Sequence, residues 1–205
     1  PGEPGNAPQK IADILAVLMR GIQRVETVFR ELSTISRLDI EDVRLQCRLV
    51  DLNLSATESV AECFPEAMQQ DVTLDVQTSD IAPIWADAGR IRQLIANMIA
   101  NALIRSEPGG RILLRTEQEP GAAIIRVEDG GSRIPEPMLQ NIMAGLASDD
   151  PSAETRVELY VVNRLALAHG GEMRFTASTD GMALTVRLPL DPERTGTKEN
   201  LHGDE

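Results

Sequence analysis

The sequence predicts an α+β protein: a two-layer α/β sandwich, with helices on one face of a mixed sheet, preceded by a long amphipathic bundle helix. Three observations predict it. From about residue 44 onward, alternating and helical runs follow one another in the order β-α-β-α-β-β-α-α-β-β. Between Asp87 and Leu103, the residues Ile91, Leu94, Ile95, Met98, Ile99, Ala102 and Leu103 form one apolar stripe of a helix. Near the start, Ile11, Leu15, Leu18, Ile22, Val25, Phe29 and Leu32 are spaced alternately four and three apart, which is a heptad seam.

Taken in order, residues 1–8 hold three Pro and two Gly and read as a linker or inter-helix loop. Residues 9–40 carry the heptad seam. A single helix cannot bury such a seam alone, and Ile14 and Val17 widen its apolar face, so it reads as a dimerisation helix in a bundle. Arg44 to Leu52 alternates as a short strand, and Asp51 to about Met68 reads as a helix with Leu54, Val60, Cys63 and Phe64 on its apolar side. Val72, Leu74 and Val76 alternate with polar residues in a second strand. Ser79 to Trp85 reads as a loop, with Trp85 at the edge of the core.

The helix from Asp87 follows, with Asp87 as its N-cap. Arg111 to Glu119 and Ala122 to Glu128 are strands of a hairpin turned at Glu119-Pro120-Gly121. A loop from Asp129 to Pro135 leads to a short helix from Glu136 to about Ala144. After an acidic loop, Val157 to Ala168 is helical and stops at Gly170-Gly171. Met173 to Ser178 and Met182 to Leu188 form a last hairpin around Thr179-Asp180-Gly181. Residues 191–205 are polar and apolar-poor, the composition of a disordered tail.

The formal charge of −12 argues against nucleic acid or an anionic membrane as partner, since both reward Lys and Arg. Cys47 and Cys63 form neither a metal-ligand nor a disulfide pattern, which suits a reducing cytoplasm and partly buried thiols. No apolar run is long enough to span a bilayer, so no direct membrane contact is expected in this segment.

Gln93, Asn97, Asn101 and Arg105 lie four apart and make a polar stripe beside the apolar one. A carboxamide is neutral, donates and accepts, and offers an oxygen to Mg²⁺. With Asp129-Gly130-Gly131-Ser132-Arg133-Ile134-Pro135 downstream, these residues resemble a known family. The segment from about Ala7 to Leu190 resembles the cytoplasmic core of two-component sensor histidine kinases. It would comprise one dimerisation-bundle helix and, over residues 41–190, the ATP-binding catalytic domain shared with gyrase, Hsp90 and MutL. Ile35-Ser36-Arg37-Leu38 resembles the end of the second bundle helix and Val50-Asp51-Leu52 the entry to the ATPase domain. Asp87 to Ala102 is similar to the N box and Asp129-x-Gly131-x-x-Ile134-Pro135 to the G1 box. Leu159 through His169-Gly170-Gly171 is similar to the helix after the G2 box.

The resemblance implies Mg-ATP as cofactor, a homodimer through the N-terminal helix and a response-regulator or receiver-domain partner. It implies that Asn101 holds Mg²⁺ against the triphosphate, that Asn97 lies near the γ-phosphate and that Asp129 accepts from the adenine amino group. Gly131 would let the backbone approach the base, and Arg105 would stand in for the family's basic residue, whose own position holds Ile104. His169 would stabilise the end of its helix.

Three departures accompany the matches. Arg133 replaces the second glycine of G1, Glu154-Thr155-Arg156-Val157-Glu158 stands where the family has a Gly-x-Gly-x-Gly phosphate loop, and the lid segment Leu146 to Ala153 is short. Backbone amides cradle phosphate only where the chain folds tightly around it. The only histidines are His169 and His202, so the chain as given carries no phosphoacceptor. The reading is therefore a divergent histidine kinase core with an eroded lid and phosphate loop, acting mainly through dimerisation and docking. One alternative is an active Mg-ATP-dependent histidine kinase catalytic domain whose phosphoacceptor His lies outside this chain, on an absent helix or on a partner. The other is a histidine phosphotransferase built on such a core, suggested by Ala144-Gly145-Leu146.

Overall fold

Asp51 caps the first helix among the described residues: its carboxylate accepts from the Leu54 amide at 3.0 Å, closing the N-terminal turn. In this computed structural model, residues 45–131, 153–177 and 181–190 are described. The linker, the heptad helix with Ile11, Leu15, Leu18, Ile22, Val25, Phe29 and Leu32, the short helix expected at 136–144, the segment 144–146, Arg133 and the tail lie outside them.

The described elements are β1 (Arg48–Val50), α1 (Leu52–Gln69), β2 (Thr73–Thr78), β3 (Ile84–Ala86), α2 (Ala88–Arg105), β4 (Arg111–Glu119), β5 (Ala122–Asp129), α3 (Ala153–Ala168), β6 (Glu172–Ala177) and β7 (Met182–Pro189). Five strands form a sheet in the order β2-β4-β5-β7-β6. Only β2 pairs in parallel, with Thr73 opposite Arg111; the other neighbours are antiparallel, so the sheet is mixed. The three helices pack on one face of it, with α2 flanked by α1 and α3. Among the described residues the observed fold is the predicted two-layer α/β sandwich, a mixed sheet with helices on one face.

The reason lies in two periodicities. All seven residues of the apolar stripe on α2, from Ile91 to Leu103, are buried. On β4, Ile112, Leu114 and Thr116 are buried on the core side, alternating with more accessible residues. Strand β5 is buried along most of its length because it pairs on both sides. Thr116 is held by polar contacts: its hydroxyl donates to Asn53 Oδ1 at 2.6 Å, while Asn53 Nδ2 donates to Ser79 O at 2.7 Å. These bonds tie α1 to the central sheet.

Two sequence readings are corrected. On α1, Leu54 and Phe64, expected on the apolar side, are exposed; the side that packs is the stripe of Leu52, Ser55, Ala56 and Ser59, whose small residues sit at helical spacing. The segment from Ser79 to Trp85 is not all loop, because Ile84–Ala86 pairs antiparallel with β1 in a separate two-stranded ribbon. Ile84 and Ala86 face the core, and Trp85 points outward, about half exposed at 49%, beside its cross-strand neighbour Leu49. Three residues are too few to display alternation, so the strand left no periodic signal. Helix α3 also begins at Ala153, four residues before the first apolar position of its expected span.

Candidate nucleotide site

Helix α2 is anchored at its start. Asp87 accepts from the amides of Gly89 at 2.9 Å, Arg90 at 3.1 Å and Gln46 at 2.9 Å. Burial alone would raise its pKa. The amides of Gln46, Arg90 and Gly89, helped by the Arg90 charge, hold it below the ordinary 3.8 instead. The helix is thereby fixed in rotation, and its polar stripe faces a defined direction.

Along that stripe, Asn97 is half-buried and folds back on its own helix, its Nδ2 donating to Gln93 O at 2.7 Å. One turn on, Asn101 is only 2% exposed, and its Nδ2 is buried without a hydrogen-bond partner. A buried carboxamide with an orphaned donor is unusual, because such groups cost free energy unless something completes them. A further turn brings Arg105 to the end of β5. Its Nη2 donates to both oxygens of Asp129, forming a buried ion pair whose side chains are 8% and 3% exposed. Asp129 Oδ1 also accepts from the Gly131 amide at 2.8 Å. The Arg105 Nη1 reaches Met182 Sδ at 3.7 Å, and its Nε is buried without a partner.

Gly131 has a packing reason of its own here, beside the one the resemblance implies. A Cβ at this position would lie 2.8 Å from Arg105 Cβ, Arg105 O and Asp129 Oδ1. The missing side chain makes room for the end of α2. Gly181 plays the matching part on the β6–β7 turn, where a Cβ would lie 2.1 Å from Asp129 O. Its place beside Asp129 was not legible, since Thr179-Asp180-Gly181 signals a hairpin turn and nothing more.

The structure thus brings Arg105, Asp129 and Gly131 together, with Asn101 and Asn97 one and two turns back along α2. Residues Glu154 to Glu158, expected where a phosphate loop would be, lie within the helical span of α3. Among the described residues, no group of three or more His, Cys, Asp or Glu could hold a metal ion. Mg²⁺ does not need such a cage, because it commonly keeps several waters and takes one or two protein oxygens with substrate phosphates. The carboxamide oxygen of Asn101 is of the type that role needs, and an acceptor such as a phosphate oxygen beside it would pair its Nδ2. Among the same residues, no helix is long and apolar enough to cross a membrane.

Known proteins are similar to this chain in sequence and in fold. The probable sensor histidine kinase TcrY of Mycobacterium tuberculosis is 26% identical over 192 residues, covering 91% of this chain and 40% of that protein. The swarming motility regulation sensor protein RssA of Serratia marcescens is 24% identical over 186 residues, 88% of this chain and 40% of its own length. The chain therefore spans well under half the length of these relatives. Among solved structures, the catalytic domain of histidine kinase ThkA superposes with a TM-score of 0.66 at 20% identity, covering 73% of this chain and 99% of that one. ThkA in complex with the response regulator TrrA gives a TM-score of 0.72 at 18% identity, covering 95% of this chain and 54% of that one. At such identities the structures share the fold. Residues 86–192, just over half of the 205-residue chain and spanning α2 to β7, match a family directly. The chain belongs to the histidine kinase-, DNA gyrase B- and HSP90-like ATPase family.

Proposed function

We propose that this chain is the Mg-ATP-binding catalytic core of a two-component histidine kinase, which passes the γ-phosphoryl group to a histidine outside this chain. The observation that carries the proposal is the line of Asn97, Asn101 and Asp129 from one face of α2 to the end of β5, with Asn101 buried and its donor unpartnered. In this reading Asp129 receives the base, Asn101 offers its carboxamide oxygen to Mg²⁺, and Asn97 stands toward the γ-phosphate. Mg²⁺ supplies charge neutralisation of the triphosphate. Arg105 belongs to the same site. Relatives named as sensor kinases, and the fold shared with ShkA crystallised with AMPPNP, support it.

The same reading assigns Ile11, Leu15, Leu18, Ile22, Val25, Phe29 and Leu32 to a homodimer seam, by their heptad spacing. It assigns a receiver domain as partner, as ThkA has in TrrA, and a cytoplasmic location.

A second reading has specific support. The ion pair of Arg105 with Asp129, and the helical backbone over Glu154 to Glu158, favour a site that holds nucleotide weakly. In that case the core acts mainly through dimerisation and docking.

Titration with a fluorescent ATP analogue, with and without Mg²⁺, separates the two. Saturable binding that needs Mg²⁺ and is lost in Asn101→Ala is expected for the catalytic core. Binding absent at every attainable concentration overturns that reading in favour of the second.

A further inference from the structure

We infer that Arg105 sets the base preference of the nucleotide site, removing its selectivity for a 6-amino purine over a 6-oxo purine. The inference rests on reading Asp129 as the carboxylate that meets the base.

An amino group on a purine needs an acceptor. Asp129 is the acceptor here, and it is already engaged. Both its oxygens accept from Arg105 Nη2, and Oδ1 accepts from the Gly131 amide as well. Three of its roughly four lone-pair positions are therefore in use. The guanidinium also cancels the carboxylate charge, so an amine arriving at the remaining position forgoes most of the gain from a charge-assisted bond.

What the site offers instead is donors. Arg105 Nε, on the guanidinium that meets Asp129, is buried without a partner. Among the described residues Arg105 Nη1 meets the Met182 thioether, a weak acceptor, at 3.7 Å. A carbonyl oxygen in place of the amine accepts from such groups and leaves the ion pair intact. The guanidinium is held where it is by the ion pair itself and by burial, its side chain being 8% exposed.

The test compares Mg-ATP with Mg-ITP, which carry an amino and an oxo group at position 6 of the same ring system. Calorimetric titration of the wild-type chain should give affinities within about threefold of each other. In Arg105→Met, which keeps the length and apolar packing, Asp129 is released and ATP should be preferred by roughly tenfold or more. Arg105→Lys holds a single point charge and should fall between the two; it carries the test if circular dichroism finds the Met variant unfolded. A wild-type chain that prefers ATP by tenfold, or a ratio that does not move in either variant, overturns the inference while leaving the proposed function standing. Neither nucleotide binding to any variant overturns the proposed function and this inference with it.

Discussion

His169 and Asp87 are joined across the domain: His169 Nε2 accepts the Asp87 backbone amide at 3.2 Å. Its Nδ1 lies 2.8 Å from Leu165 O and, with Nε2 accepting, must be the nitrogen that carries the proton. The ring is therefore a neutral link between the end of α3 and the start of α2. Burial lowers its pKa below 6.5, outweighing the Leu165 bond and the Asp87 charge that raise it; Arg90 adds to the lowering.

The sign of the pH effect follows. Above pH 6.5 the ring is neutral in folded and unfolded chains, and its contribution to stability is complete. As pH falls below that value the unfolded ring takes up a proton before the folded one does, so stability declines until the folded pKa is passed. Chemical denaturation at successive pH values should show this decline, and His169→Gln should remove it. The same substitution should cost about 1–2 kcal/mol at neutral pH.

Asn101 gives a separation of function from stability. Its Nδ2 is buried and unpartnered, so Asn101→Ala deletes an unsatisfied donor along with the carboxamide. The melting temperature should change by little, with a stability difference of about 1 kcal/mol or less. Mg²⁺-dependent nucleotide binding should nevertheless disappear. A variant that loses both together would mean that the carboxamide supports the fold.

The chain after α1 contains a non-glycine residue in the left-handed region, Asp71 at φ 56°. Its amide donates to Met68 O at 3.2 Å and its carbonyl accepts from Gly109 at 2.7 Å, so the conformation is held from both sides. Asp71→Gly should raise stability by about 0.5–1 kcal/mol, read as a shift in the denaturation midpoint.

Cys63 should be a slow nucleophile. Burial, followed by the charges of Glu66 and Glu62, pushes its thiol up to about 11. Near pH 8 its alkylation should run about a hundredfold slower than that of an ordinary exposed thiol. Comparing Cys63→Ser with wild type by mass spectrometry isolates the rate, since Cys47 is also raised.

The fold was readable where periodicity was long. The stripe from Ile91 to Leu103 fixed α2 and its buried face, and the Glu119-Pro120-Gly121 turn placed the β4–β5 hairpin, with Gly121 at φ 77°. Strand β3 was hidden because its partner β1 is as short as itself and lies 34 residues earlier in pairing (Val50 to Ile84). The candidate site was readable as residue types but not as contacts. Arg105 and Asp129 are 24 positions apart on different elements, and no local pattern tells an arginine whether it will meet phosphate or carboxylate. That choice is made by the close approach of α2 to Gly131, which is a matter of packing.

Strand β7 is made after the other four described strands of the sheet and yet sits inside it, between β5 and β6. A nascent chain emerging from the ribosome must therefore hold β5 with one bare edge, from Ala122 to Asp129, until Met182–Pro189 follows it out. Through that interval a strand that is buried along most of its length in the finished sheet is an open template for intermolecular pairing. Chains that terminate early, before Met182, should be the ones that chaperones retain.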